Sequence, residues 1–238
     1  MGPDIRSERL LALLRGVPMF RGLPPDDLRR VAGVTSVQDL TRGDYLWHEG
    51  DPSDHLCILV RGRVKIVKHG QSGDIILEIF GQGEPVGAIA VYNCMAYPAD
   101  AVCLEPVTVL QLARRDYFEL LDRSPGFART LLLELTRLTV SLTRKIEEMR
   151  GQRVEVRVAQ LFLTLARRMG RPGATGTEVP IHLSRQEVAD LVGTTVESAI
   201  RVMSRWGREG TLITGDGCFV IPDLEKLREV AHAATEEP

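Results

Sequence analysis

The sequence predicts an α+β chain in three parts: a domain of short strands, one long helix, and a C-terminal pair of short helices followed by a hairpin. Three observations carry this. Glycines punctuate β-type runs from about Val34 to Leu112. Apolar residues then repeat in heptads beyond Pro125. Two helical segments with capping residues meet at Gly193, ahead of a Gly-Asp-Gly turn.

The first 33 residues read as short helices. One closes on Leu10, Leu11, Leu13 and Leu14; another opens at Pro24-Pro25-Asp26-Asp27 and carries Leu28 and Val31 three positions apart. The runs His55–Val60, Val64–Val67, Ile75–Phe80 and Val107–Leu112 follow, separated by Gly-containing turns such as Arg42-Gly43-Asp44 and Glu49-Gly50-Asp51. Several short strands with turn signals between them imply a barrel or sandwich.

From Pro125 a long helix begins. Ala128, Leu132, Leu135, Thr139, Leu142, Ile146 and Met149 step by 4, 3, 4, 3, 4, 3, a seam long enough for a two-helix coiled coil. Leu131, Leu138 and Ile146 form a bordering stripe. One stripe can face the β domain and the other a second copy. The expected dimer interface is Leu132, Leu135, Thr139, Leu142, Ile146 and Met149. Gly151 interrupts the pattern and sets the expected boundary between a domain over residues 1–150 and a second over 151–238. The second opens with a helix carrying Val154, Val158, Leu161, Phe162 and Leu165, followed by a loop over 171–176.

Composition narrows the function. The 238 residues hold 30 Lys and Arg against 32 Asp and Glu, a net charge of −2. Residues 151–238 hold 11 basic and 12 acidic side chains. A nucleic-acid contact must therefore come from a local basic face rather than from bulk charge. Cys57, Cys94, Cys103 and Cys218 form no CxxC pair, so no metal site is expected, and reduced, partly buried thiols fit a cytoplasmic protein. Asp4, Arg6, Glu8 and Arg9 break up the N-terminus before a secretory apolar region can develop, and no uncharged apolar stretch is long enough for a bilayer. No Ser/His/Asp grouping, P-loop or HExxH pattern occurs, so no catalytic residues are expected.

Residues 182–221 carry the chemistry. Ser184-Arg185-Gln186-Glu187 is a capping box that starts a helix bearing Val188, Ala189, Leu191 and Val192, and Gly193 ends it. Thr194-Thr195-Val196-Glu197 reads as a second capping box, with Val196, Ala199, Ile200 and Met203 supporting the next helix. Two short helices joined by a glycine turn form a helix-turn-helix. The second exposes Glu197, Ser198, Arg201, Arg205 and Arg208, a locally basic face. Two β runs around Gly215-Asp216-Gly217 read as a wing beside it. Arginine can donate twice to guanine and glutamate can accept from cytosine N4. Glu197 and Arg201, four apart, can also orient each other. The expected DNA-contacting residues are Ser184, Arg185, Thr194, Thr195, Val196, Glu197, Ser198, Arg201, Arg205 and Arg208.

On these residues the chain resembles the Crp/Fnr family of transcription regulators. The turns at 42–44, 49–51 and Arg61-Gly62-Arg63-Val64 are similar to those of a cyclic-nucleotide-binding β-roll, a jelly roll. The segment Leu183 to Gly193 resembles the first element of the family's helix-turn-helix, and Glu197 with Arg201 matches the Glu-x-x-x-Arg of its recognition helix. The resemblance spans about residues 18 to 228. It implies a β-roll, a long dimerisation helix and a winged helix-turn-helix. It further implies a homodimer on palindromic double-stranded DNA with a TGA-containing core, contact with RNA polymerase, and an effector in the β-roll. Val196 before Glu197 is closer to the oxygen-regulator branch, and Ile200 stands where that branch has serine.

The effector is a separate question. Cyclic AMP-binding members use a Gly-Glu pair and then Arg-Ser-Ala; here the stretches read Gly87-Ala88 and Tyr97-Pro98-Ala99. Ala88 replaces the acid for the ribose, and Tyr97 and Pro98 replace the phosphate ligands. A buried phosphate without a cation loses its charge-assisted pairing, so cyclic AMP is not expected. No cysteine precedes Cys57, so an N-terminal iron–sulfur cluster is not expected. Haem between Tyr97 and the long helix is left open. Cys94 and Cys103 are a conceivable redox pair with no activating neighbour in sequence. The pocket candidates are Gly87, Ala88, Tyr97, Pro98, Ala99, Thr139 and Thr143. Beside an effector-gated regulator stand two alternatives: a constitutive DNA binder with a self-filled pocket, and a ligand-binding regulatory subunit, which would lack the winged helix.

Overall fold

A computed structural model of the chain describes residues 5–70, 73–149 and 152–232. It divides into two compact units, residues 1–69 with 77–142 and residues 70–76 with 143–238. Gly151, the expected boundary, lies outside the described residues.

The N-terminal unit begins with helices α1 (Ile5–Gly16) and α2 (Pro25–Val34), joined through a 3-10 turn at Pro18–Phe20. The strands are β1 (Thr35–Leu40), β2 (Tyr45–Trp47), β3 (His55–Arg61), β4 (Val64–Lys68), β5 (Ile75–Phe80), β6 (Pro85–Val86), β7 (Asp100–Cys103) and β8 (Val107–Ala113). Helix α3 (Ala88–Tyr92) lies between β6 and β7, and α4 (Arg114–Arg123) and α5 (Pro125–Met149) follow β8. The strands form two four-stranded sheets, ordered β1-β8-β3-β6 and β2-β7-β4-β5.

Strand β3 shows why the β-type runs are so apolar. Its register against β8 is antiparallel, with Leu56 opposite Leu112 and Ile58 opposite Leu110. Successive side chains point to opposite faces. Leu56 and Ile58 join Leu110, Leu112, Phe20 and Phe127 in one core cluster, under the helices. Cys57 and Leu59 join Trp47, Val64, Ala101 and Val109 in another, between the sheets. A strand buried on both faces has no polar alternation to show.

Helix α5 starts at Pro125, where the sequence places it, but its faces differ from the expected seam. Leu131 is buried and Leu135 packs against the chain's own core. Leu132 and Leu133 are each 64% exposed and Val140 is 52% exposed. Leu135 therefore belongs to the face that covers the β domain, while Leu142 is half-buried. The open stripe is Leu132, Thr136, Thr139 and Thr143, with Leu133 and Val140 beside it. Ile146 and Met149 lie outside the residues whose side chains are described. The correction has a simple cause: on a helix, a heptad shared between two apolar stripes does not say which of them the chain covers itself.

The C-terminal unit contains α6 (Val154–Met169), β9 (Arg171–Gly173), β10 (Gly176–Val179), α7 (Arg185–Val192), α8 (Val196–Glu209), β11 (Ile213–Thr214), β12 (Phe219–Ile221) and α9 (Leu224–His232). The strands form one sheet, ordered β11-β12-β10-β9. The expected loop at 171–176 is instead a tight hairpin. Strand β10 is fixed by β12, with Val179 opposite Phe219, and β9 then pairs on its free edge, with Pro172 opposite Thr177. Phe162 of α6 meets Phe219 edge-on, centroids 4.8 Å apart, and Trp206 of α8 is fully buried. This core seats α7 and α8.

Candidate nucleic-acid interface and β-domain interior

The geometry of α7 and α8 is set by local devices. Ser184 caps α7, accepting from the Glu187 amide at 3.1 Å, while the Glu187 carboxylate accepts from the Ser184 amide at 2.8 Å. This reciprocal capping box is the one legible in sequence. Gly193 closes α7 in the left-handed region (φ 63°, ψ 53°), where a Cβ would be strained. Ala189 and Ala199 are fully buried, so the two helices meet on small side chains.

The second cap differs from expectation. Thr195, not Thr194, is the N-cap of α8, and its hydroxyl accepts from the Ser198 amide at 3.3 Å. The third helical residue is thus Ser198, and Glu197 is not drawn into a capping box. Thr194 instead sends its amide to the Ala189 carbonyl at 3.0 Å. The shift leaves the Glu197 carboxylate available at the helix N-terminus, where the helix dipole favours negative charge.

The arginines divide into two groups. Arg185 is half-buried and donates to the Thr214 hydroxyl at 3.0 Å and the Met203 sulfur at 3.3 Å, tying α7 to wing strand β11. Arg205 is ion-paired with Glu155 of α6 and lies near Glu209. Glu155 also accepts from the buried Trp206 indole at 3.1 Å. By contrast, Glu197, Arg201 and Arg208 are exposed and make no ion pair or side-chain hydrogen bond among the described residues. Glu197 and Arg201 do not pair with each other, contrary to expectation. Val196 is half-buried and Ser198 supports the cap.

Sequence reasoning missed Arg157. From α6 it donates to the carbonyls of Val192 and Gly193, at 2.7 and 2.9 Å. Those are the orphan acceptors at the end of α7, so a cation there both caps the helix and complements its dipole. No local signal marks this residue, because its partners lie in another helix.

In the β domain the structure brings Gly87, Tyr97 and Ala99 together with Trp47. The Tyr97 ring stacks on Trp47, centroids 3.9 Å apart and 11° from parallel. The Tyr97 hydroxyl donates to the His55 carbonyl at 2.8 Å, and the Trp47 indole donates to the Ala99 carbonyl at 3.0 Å. Burial pushes the Tyr97 phenol above its ordinary pKa, with the nearby Cys57 and Asp54 adding to the shift and Arg114 opposing it. Gly87 adopts φ 82°, and a Cβ there would meet Tyr97 Cε1 at 2.8 Å. The segment carrying Tyr97 is held by paired amides: Gly50 donates to Tyr97 and Tyr97 to Asp51.

The remaining pocket candidates lie elsewhere. Ala88 packs in the cluster under the helices, not with Tyr97. Pro98 is exposed and its carbonyl accepts from Lys68 Nζ at 3.0 Å. Thr139 is exposed and donates to the Leu135 carbonyl at 2.9 Å, and Thr143 is exposed in the other unit. The expected seven-residue pocket thus reduces to three residues closed over by Trp47, which the sequence did not single out. The aromatic pair fills the space at Gly87, with Tyr97 and Trp47 both against its α-carbon. The two buried thiols, Cys57 and Cys103, are not poised for redox chemistry. Burial raises Cys57 to about 12, and burial with the Asp44 charge raises Cys103 to about 11.

Residues 37–124 match the cyclic nucleotide-binding domain, and residues 156–230 match the Crp-like helix-turn-helix domain. Together they define a class: a transcription regulator with a cyclic-nucleotide-binding-type domain ahead of a winged helix-turn-helix. The chain is 26% identical over 219 residues to the Cyclic AMP receptor protein of Thermus thermophilus, across 92% of this chain and 98% of that one. It belongs to the Crp/Fnr family of transcription regulators. Two solved structures share the fold. The c-di-GMP responsive global regulator CLP of Xanthomonas campestris has a TM-score of 0.71 at 20% identity, covering 84% of this chain and 100% of that one. FixK2 of Bradyrhizobium japonicum has a TM-score of 0.73 at 18% identity, covering 83% and 97%. No described helix is long and apolar enough to cross a membrane.

Proposed function

We propose that this protein is a homodimeric, cytoplasmic regulator that binds a palindromic DNA site through α8, engages RNA polymerase, and does not depend on cyclic AMP. The observation that carries the DNA-reading part is the free set on α8. Glu197, Arg201 and Arg208 are exposed and unpaired among the described residues, whereas Arg185 and Arg205 already have partners. Hydrogen-bonding groups positioned by a rigid, capped helix yet left without partners suit a groove whose base edges supply them. Arg201 donates to a guanine, Glu197 accepts from a cytosine, and Arg208 meets phosphate.

Dimerisation through α5 is supported by the open stripe at Leu132, Leu133 and Val140. The hydroxyls of Thr136 and Thr139 donate back to the helix, at 2.8 and 2.9 Å, so their methyl groups remain as the packing surface. Two copies of α8 would then address half-sites about one helical turn, roughly 34 Å, apart.

A second reading rests on the Trp47–Tyr97 stack. Relatives of this fold are described as responding to different nucleotides, but an interior filled by the chain's own aromatic pair supports a regulator that binds DNA without an effector.

Binding selection on random duplexes tests the main reading. Wild-type protein should select a palindrome. Arg201→Ala should lose about 1–3 kcal/mol and relax preference at one base pair per half-site. An unchanged selected sequence with Arg201→Ala would remove the base-reading assignment.

A further inference from the structure

Ile200 is out of place by the rule that governs the rest of α8. Past the first residue of the helix, the half-buried Val196, the other large apolar side chains, Val202, Met203 and Trp206, are at most 9% exposed, while Ile200 is 43% exposed. Its helical spacing puts it between Glu197, three residues before, and Ser204, four residues after, with Arg201 adjacent. Glu197, Arg201 and Ser204 are exposed and polar; Val196, four residues before, is apolar but half-buried, so Ile200 is the most exposed apolar element of that face. In the free chain the exposed part of its side chain has no apolar cover. A base edge in the major groove offers one large apolar group, the 5-methyl of thymine; the other edges present donors and acceptors. A β-branched side chain on a helix holds essentially one χ1, so its methyls are already fixed in direction.

We infer that Ile200 is a specificity-determining residue that packs on a thymine 5-methyl group beside the base pair read by Arg201. The inference rests on the reading of α8 as the groove-bound helix and adds the base class that its apolar position selects. Thymine differs from uracil only in that methyl. Replacing the contacted thymine by deoxyuridine removes the contact and leaves every hydrogen-bonding group in place. Burial of about one methyl corresponds to about a fourfold change in affinity per half-site, and about fifteenfold over a symmetric site.

The test uses the full-length protein and the duplex it selects. Each half-site thymine is replaced in turn by deoxyuridine and affinity is measured at fixed salt. Wild type should show one position at which the replacement weakens binding by about fourfold per half-site. Ile200→Ala should bind the thymine and deoxyuridine duplexes equally, and Ile200→Val should keep part of the discrimination. Arg201→Ala should bind more weakly but still discriminate. Because Ile200 is exposed, circular dichroism should show all three variants folded. If wild type binds a selected sequence yet ignores every deoxyuridine, or if the half-site holds no thymine, the inference fails while the reading of α8 stands. If Ile200→Ala keeps full discrimination, the methyl is read by another residue and the inference fails. If wild type selects no sequence at all, the reading of α8 and the inference fail together.

Discussion

The interior of the β domain and the outer face of α8 treat their polar groups in opposite ways. Around Gly87 the chain satisfies itself: the Tyr97 hydroxyl bonds His55, the Trp47 indole bonds Ala99, and the rings stack. On α8 the caps and the core fix the backbone, and then Glu197, Arg201 and Arg208 are left without partners among the described residues. The difference teaches where to look for partners. Charged groups on a capped helix that are left to water are available to a partner outside the chain, while buried groups satisfied within the chain describe its own stability.

The largest expected effect is on the closed side. Tyr97→Ala removes a buried ring, its stacking partner contact and one hydrogen bond, and should cost about 3–5 kcal/mol of stability, seen as a lower urea midpoint. The folded fraction at low temperature should keep its DNA affinity if the stack is structural filling. A loss below about 1 kcal/mol would mean that the ring is not packed as a core residue. Stabilisation of the wild type by cyclic AMP at micromolar concentration would break the comparison outright, because a ligand that binds only the native state raises its melting temperature.

The next effect concerns the other open face. Leu132→Glu places two carboxylates against each other if α5 pairs with its copy, at a cost on the order of 3 kcal/mol of association. Sedimentation should then show a folded monomer. Leu135→Glu should instead disturb the β domain, since Leu135 packs on its core. Two leucines three residues apart would thus fail in different ways. A Leu132→Glu protein that remains dimeric would show that this stripe does not join the copies.

What was legible in the sequence follows the same division. The Ser184–Glu187 capping box, the Gly193 terminus, the wing and the start of α5 depend on neighbours within a few residues, and each can be read from spacing. Even there, one step of register mattered: the cap at Thr195 rather than Thr194 is what frees Glu197. The features that escaped are made by residues far apart in the chain. Trp47 closes over Tyr97, Arg157 caps a helix to which it does not belong, and Glu155 engages both Arg205 and Trp206. The hairpin at 171–176 escaped for a related reason, because β10, on which β9 pairs, is itself fixed by the distant β12. No local pattern encodes such pairings, and three arginines on one helix look alike until their partners are known.

The smallest effect separates two of those arginines. Arg208 is exposed and unpaired among the described residues, so Arg208→Ala should weaken binding to every sequence alike and lower the slope of log affinity against log salt by about 0.9. Arg205 is held by Glu155, in a pair where the two side chains are 43% and 33% exposed. Solvent screens such a pair, so Arg205→Ala should cost less than about 1 kcal/mol of stability. Glu155 keeps its bond to the Trp206 indole, which limits the loss further. Arg205→Ala should leave both the salt slope and the selected sequence unchanged. Titrating both variants across a range of salt concentrations, alongside their urea midpoints, makes the comparison direct. Equal losses of slope would show that Arg205 leaves Glu155 on binding and reaches phosphate, which would move it from the self-satisfied group into the open one.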